Sequence, residues 1–473
     1  MTKGAVALVL HAHLPYVRSA QPGSLEEDWF FQALIECYLP LLETLERASA
    51  DPHQQPKLTI GLSPTLLSLL SDQDLKQRFP QWLNERLDLL PKADPSLRAG
   101  AEHLAATIER HQRAWQSCDG DLIQRFAALQ RLGVVDLLTC GATHGYLPLL
   151  RHHPEAVRGQ LRTAVREHQR LVGERPLGIW LPECAYYEGL DRWMRDAGLR
   201  YAVLDGHGLL HGRPRPRYGV YAPICSRNGV AFFGRDSDAT LPVWSAKDGY
   251  PGDPHYREFH RDLGWDLPIE ELKPLGLDQP RPLGLKLHRV TDHSAPLDRK
   301  RPYEPGVAAE RVKEHAADYL QGRRRQLDQL GAAMDVSPLL VAPFDAELFG
   351  HWWFEGPAFL SQLFQQAPQE GVAFTRLRDV LNNVGQLQLC DPCPSSWGQG
   401  GYHDYWLNDS NAWIIPEWEK ASAAMVQRCS RGVGSEQAMQ WLQQAARELL
   451  LAQSSDWSFI LRAGTTTELA KER

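Results

Sequence analysis

Glu183 follows a short apolar run in the segment Ile179-Trp180-Leu181-Pro182-Glu183-Cys184-Ala185-Tyr186. Asp345 follows another, in Leu339-Leu340-Val341-Ala342-Pro343-Phe344-Asp345-Ala346-Glu347, with His351, Trp352 and Trp353 close behind. Each carboxyl thus stands at the end of an apolar strand in a bed of aromatic rings. Glycoside chemistry needs such a pair: an ionised carboxylate to attack the anomeric carbon and a protonated acid to assist the leaving oxygen. Apolar rings raise an acid's pKa, and basic neighbours keep a nucleophile ionised. Plainer roles also fit the types, a helix N-cap for Asp345 and a structural charge pair for Glu183.

Three histidines stand at comparable places. His11 and His13 end the run Ala5–Leu10, and His144 follows Val134–Thr139. Neutral imidazole suits sugar hydroxyls, because one nitrogen donates and the other accepts. His-x-His with an acid is also a metal pattern, found in polysaccharide deacetylases. The reading adopted uses no metal and no cofactor. The sequence holds no GxxxxGK[ST], no helix-opening GxGxxG and no GxSxG, which argues against phosphate, dinucleotide and serine-nucleophile chemistry.

The elements that must hold these groups read as alternating strands and helices. Apolar strand runs fall at Ala5–Leu10, Lys57–Leu62, Val134–Thr139, Leu177–Leu181, Tyr201–Leu204, Val230–Phe233 and Leu339–Ala342, with a weaker one at Val372–Thr375. The Leu339 strand is expected to break at Pro343. Helix-period stretches lie between them, at Phe30–Ala48, Leu75–Leu90, Leu122–Leu132, Val157–Val172 and Val307–Leu330. This alternation predicts an α/β fold with a parallel barrel. Six strands end in ionisable groups: His11 and His13; His144; Glu183; Asp205 and His207; Arg235, Asp236 and Asp238; Asp345 and Glu347. Convergence of that kind on the C-terminal face is where a barrel keeps its chemistry.

Residues about 64–130 read as a helical insertion, and about 236–306 as a loop-rich one rich in Pro, Gly and aromatics. From about Gln386 the strands are expected to stop. The division is a catalytic domain at 1–385 and a helical C-terminal domain at 386–473 that lends aromatics to the cleft.

Composition narrows the partners. The 473 residues are 43% hydrophobic and 23% charged, with a formal charge of −7. No basic run points to nucleic acid or an anionic membrane. No apolar stretch is long enough to span a bilayer, and the N-terminus reads as a strand rather than a leader. The eight cysteines are scattered, and Cys390-Asp-Pro-Cys393 alone is too little for zinc. Reduced thiols in a cytoplasmic, monomeric protein are expected. Of 15 tryptophans, Trp397, Trp406, Trp413 and Trp418 crowd one C-terminal stretch. Indole rings pack cores, and they also stack on sugar rings.

The sequence resembles glycoside hydrolase family 57. Five segments carry the resemblance in order: His11-Ala12-His13-Leu14-Pro15, Gly141-Ala142-Thr143-His144-Gly145, Trp180-Leu181-Pro182-Glu183, Ala342-Pro343-Phe344-Asp345-Ala346-Glu347, and the aromatic stretch at Trp406-Leu407-Asn408. Ala12 replaces a glutamine common in the first segment. The resemblance implies an incomplete parallel (β/α)7 barrel with a helical C-terminal domain. It implies Glu183 as nucleophile and Asp345 as general acid/base of a retaining double displacement. Within the family the chain is most similar to 1,4-α-glucan branching enzymes, through Ser395-Ser396-Trp397-Gly398, Tyr250-Pro251-Gly252-Asp253, Tyr256-Arg257-Glu258-Phe259 and Asp456-Trp457. That implies an α-glucan substrate contacted by Arg257 or Arg261, Trp397, Trp406 and Asp456, with Trp29 and Trp265 nearby. Hydrolysis of the same glucan, and glucan binding without catalysis, are the alternatives. The stretch Arg235–Tyr250 is the expected flexible loop that would favour transfer over hydrolysis, although it has no tyrosine between Arg235 and Gly249.

Overall fold

A computed structural model describes residues 4–19, 23–245, 247–432 and 434–473. Its strands are β1 (Ala5–Ala12), β2 (Leu58–Leu62), β3 (Val135–Leu138), β4 (Gly178–Ile179), β5 (Tyr201–Leu204), β6 (Ile224–Cys225), β7 (Ala231–Gly234), β8 (Leu339–Asp345) and β9 (Gln388–Leu389). They pair in the orders β3-β2-β1-β8 and β4-β5-β7-β6-β9. A bridge between Thr139 and Ile179 links the two sheets. Among the described residues, β8, β1, β2, β3, β4, β5 and β7 therefore follow one another as parallel neighbours. At the seam the Asp236 amide donates to the Val341 carbonyl at 2.8 Å. The result is an incomplete parallel (β/α)7 barrel.

Alternation along the strands decides which groups reach the interior. Ala7 and Val9 of β1 pack in one cluster with Leu138, Trp180, Tyr201, Val203, Phe233, Leu339 and Val341. Val6, Leu8 and Leu10 pack in a different cluster with Leu340, Ala342, Phe344 and the surrounding helices. His11 and Asp345 continue the first phase, and the β1–β8 register sets them side by side. The same two-residue period that fills the barrel thus brings a histidine and a carboxyl to its rim.

Four expectations need correction. The Leu339 strand does not break at Pro343 but runs on to Asp345. A seam strand tolerates a residue without an N–H. Val372–Thr375 forms no strand; it makes a single bridge, Val6 to Phe374. The strands do not stop at Gln386, because β9 pairs with β6. The stretch after Arg235 is not an open loop. Ser237–Trp244 is a helix, capped by the Asp236 carboxylate and packed so that Trp244 lies 5.7 Å from Trp397.

Between β2 and β3 the chain is helical at Pro64–Ser71, Gln73–Leu89, Arg98–Gln116 and Leu122–Arg131. The C-terminal region is helical at Ile414–Ser430, Glu436–Ala452, Ser455–Ala463 and Thr467–Glu472. It meets the barrel through the Ser455 amide, which donates to the His144 carbonyl at 2.9 Å. Among the described residues no helix is long and apolar enough to cross a membrane. All eight cysteines are free thiols.

The barrel floor depends on one missing side chain. Tyr201 donates to Asp136 at 2.5 Å, and Arg378 pairs with the same carboxylate at 3.1 Å. A Cβ at Gly178 would overlap the Tyr201 ring and Leu138. Gly178→Ala is expected to destabilise the protein by about 1–3 kcal/mol, the usual cost of overpacking. A denaturant midpoint equal to that of the parent would refute this.

Candidate active site

The C-terminal strand ends open into a cleft of about 360 Å³ lined by His11, His13, Trp29, His144, Glu183, Asp345, Glu347, His351, Trp352, Trp397, Asp456 and Phe459, with Leu14, Pro15 and Ala33. Four parts of the chain build it. The barrel supplies His11, His13, His144 and Glu183, the helix Leu25–Ala33 supplies Trp29 and Ala33, the end of β8 and the segment after it supply residues 345–352, and the C-terminal region supplies Trp397, Asp456 and Phe459.

Glu183 sits one turn beyond β4 with φ +61, a left-handed conformation that non-glycine residues rarely adopt. His144 shares this feature at φ +58. The strained turn directs the Glu183 carboxylate at two donors. Trp397 Nε1 donates to Oε2 and Ser455 Oγ to Oε1, both at 2.9 Å. Burial raises the Glu183 pKa, and these two hydrogen bonds act against it. Asp345 differs. Among the described residues no hydrogen bond reaches its carboxyl. Burial, then the charges of Glu347 and Glu183, push its pKa well above the ordinary value. Donors favour an ionised carboxylate, and their lack favours the acid. The donors thus favour the ionised form of Glu183 over that of Asp345.

The histidines are hydrogen-bonded at their cleft ends. His144 Nδ1 meets Ser455 Oγ at 2.7 Å, and its Nε2 meets His11 Nε2 at 3.0 Å. His11 stacks on Trp180 at 4.7 Å. Burial holds both rings well below the usual histidine pKa, which makes them neutral. His13 Nδ1 contacts Ser63 Oγ at 2.9 Å, and its Nε2 pairs with Asp456 at 3.1 Å. Burial opposes the charged ring, but the Asp456 carboxylate outweighs it and raises the His13 pKa. In return Asp456, against the effect of its own burial, is held at about 2. Two groups, His11 with Cys140 and His144 and His13 with His144 and Asp456, bring ligand-type atoms within 4.8 Å of one another. In the structure these side chains are largely hydrogen-bonded among themselves and to Ser63 and Ser455.

Eight of the sequence-derived positions meet in the cleft: His11, His13, Trp29, His144, Glu183, Asp345, Trp397 and Asp456. Four do not line it. Arg257 is buried, pairs with Glu36 at 2.6 Å and stacks on Phe354 at 3.9 Å. Arg261 pairs with Asp266 and the Leu297 carbonyl. Trp265 is 52% exposed and apart from the cleft. Trp406 is buried against Tyr146 at 4.6 Å, a packing role that supports the Trp397 segment. Trp352, 49% exposed, and Phe459, 44% exposed, are cleft walls that the sequence reading did not assign. Phe459 lies one turn beyond Asp456 on the same helix, a spacing that would have marked it. Ser455 carries no signal of its own beyond adjacency to Asp456.

A seven-stranded parallel barrel with paired carboxyls under aromatic rings defines an enzyme class, the barrel enzymes of glycoside chemistry. The chain belongs to Glycosyl hydrolase family 57, whose family model matches residues 7–391. A second model, the C-terminal region of 1,4-alpha-glucan branching enzymes, matches residues 417–473. A curated 1,4-alpha-glucan branching enzyme of Thermococcus kodakarensis is 32% identical, across 100% of this chain and 72% of its own length. Its crystal structure, in complex with glucose, superposes with a TM-score of 0.90 over 99% of this chain and 88% of that one. An alpha-amylase structure from Thermotoga maritima is 35% identical, with a TM-score of 0.91 over 99% of this chain and 90% of that one.

Removing the Trp397 donor should unbalance the pair. A hydrogen bond to a charged group contributes about 1.5–3 kcal/mol, and 1.36 kcal/mol is one pKa unit. In Trp397→Phe the Glu183 pKa rises, so the ionised form is lost at a higher pH. The acid limb of kcat/KM is expected to move up by about one unit or more. An unmoved limb would refute the role given to this bond.

Proposed function

We propose that the protein is a 1,4-α-glucan branching enzyme that works by retaining double displacement. The observation that carries this reading is the course of the helix Ser455–Ala463. It lies inside the region that matches branching-enzyme C-termini, and it brings Ser455, Asp456 and Phe459 into the cleft beside Glu183.

Glu183 attacks the anomeric carbon of an α-1,4-linked glucose while Asp345 protonates the departing chain oxygen. Asp345, now a carboxylate, takes the proton from a 6-hydroxyl of a second glucan. That hydroxyl displaces Glu183 and forms the α-1,6 branch. Water in its place gives hydrolysis. Trp29, Trp352, Trp397 and Phe459 offer flat apolar faces to sugar rings, and rings stacked there exclude water during the wait for an acceptor. His11, His144 and the His13–Asp456 pair are placed to bind hydroxyls. Arg257 and Trp406 are buried and act through the surrounding structure, whereas Arg261 and Trp265 lie apart from the cleft walls. The division at about residue 385 remains our reading, as do a monomeric state and a cytoplasmic site of action.

A hydrolytic reading has one support of its own, the likeness to the Thermotoga maritima alpha-amylase structure. Proton NMR of linear amylose, incubated with the protein and a chelator, separates the two. Branching predicts new α-1,6 anomeric signal with few new reducing ends. Reducing ends without α-1,6 signal would replace the transferase with an amylase. Glu183→Gln is expected to keep glucan affinity while kcat falls on the order of 10³-fold or more. Full activity in that variant would overturn the nucleophile assignment.

A further inference from the structure

One carboxyl in the cleft has no part in the mechanism above. Glu347 lies two residues beyond Asp345, buried among the cleft walls. It is held on two sides. Tyr38 OH donates to its Oε1 at 2.5 Å, and the His13 amide donates to the same oxygen at 3.0 Å.

Tyr38 comes from an unusual piece of backbone. The helices Leu25–Ala33 and Leu39–Ala50 are joined without a break by a π turn, Leu34–Tyr38. Its sequence cause is Pro40. A proline inside a helix removes one bond and clashes with the carbonyl four residues back, here that of Glu36. The Leu39 amide instead reaches the Leu34 carbonyl, the wider π pattern. The displaced Glu36 carbonyl packs on Gly350, where a Cβ would overlap it and φ is +121. The three residues in sequence then contact the segment after β8. Glu36 bonds His351 at 2.6 Å, Cys37 donates to the Ala346 carbonyl at 3.0 Å, and Tyr38 bonds Glu347. The π turn clamps the segment that directly follows Asp345.

We propose that Glu347 is a positioning residue for the acid Asp345: clamped by Tyr38 and the His13 backbone, it fixes a second carboxylate beside Asp345 and so favours the protonated acid. The inference rests on the reading of Asp345 as the acid. Asp345 faces Glu347 on its own segment, Glu183 and Cys184 from the turn beyond β4, and Tyr38 from the π turn. Glu347 faces His13 beyond β1, whose charge is answered by Asp456. Burial lifts Glu347 to about 7, although its bonds to Tyr38 and His13 pull the other way. Those donors favour its carboxylate form, and among the described residues Asp345 has none.

The test is an infrared titration of the protonated carboxyl band of Asp345, identified by its loss in Asp345→Asn. Glu347→Gln removes the neighbouring charge and keeps the shape. The Asp345 midpoint is expected to fall by about one pH unit or more. Tyr38→Phe deletes only a hydroxyl, leaves packing intact and is expected to give a smaller fall in the same direction. On linear amylose the alkaline limb of kcat/KM should move to lower pH in step, because the acid form is lost sooner. A midpoint unchanged in both variants would overturn the proposal, whatever happens to kcat. The titration needs no substrate, so an inactive parent protein would fail the branching reading and leave this result standing.

Discussion

Four carboxyls line one cleft; Asp456 is paired with His13, and Glu183, Asp345 and Glu347 all have raised pKa values there. Like charges in a poorly solvated site raise each other's proton affinity. The structure resolves the conflict by unequal hydrogen bonding. Glu183 receives donors from Trp397 and Ser455, Glu347 receives them from Tyr38 and His13, and Asp345 receives none. Two similar side chains thus meet unlike surroundings, which favours charge on Glu183 and a proton on Asp345.

That inequality explains why the site draws on distant parts of the chain. A strand end alone cannot supply donors to both faces of a carboxylate. Trp397 and Ser455 come from beyond the last barrel strand, 214 and 272 residues from Glu183. Tyr38 lies 309 residues from Glu347. The C-terminal region is thus part of the cleft. Its Ser455 bonds both Glu183 and His144, so one hydroxyl links Glu183 to the histidine cluster. The buried pair Glu36–Arg257 stands behind this arrangement. It anchors the π turn from the far side, a role in support of the cleft rather than within it.

The aromatic walls bear on the choice between transfer and hydrolysis. Trp352 and Phe459 are large, exposed rings in a cleft whose floor is polar. Exposed rings of this size lower their free energy when a sugar face covers them. Trp244, on the helix Ser237–Trp244, backs Trp397 from behind.

The sequence by itself determined the elements and the strand-end chemistry. Period-two burial and apolar runs placed most of the parallel strands, and the residue after each run fixed which ionisable groups reach the rim. Glu183, Asp345 and the histidines were legible because local geometry alone puts them there, and the five family segments assigned their roles. Only the tertiary structure decided which of the remaining aromatic and basic residues face the cleft. Arg257 and Trp406 have the composition of ligand contacts, yet long-range packing buries them against Glu36 and Tyr146. The π turn at Pro40 was hidden for a similar reason. A proline in a helical pattern predicts a disturbance, but its form is set by Gly350 and Ala346, more than three hundred residues away. Hydrogen-bond supply, which distinguishes Glu183 from Asp345, is a property of neighbours in space, and spacing along a chain does not encode it.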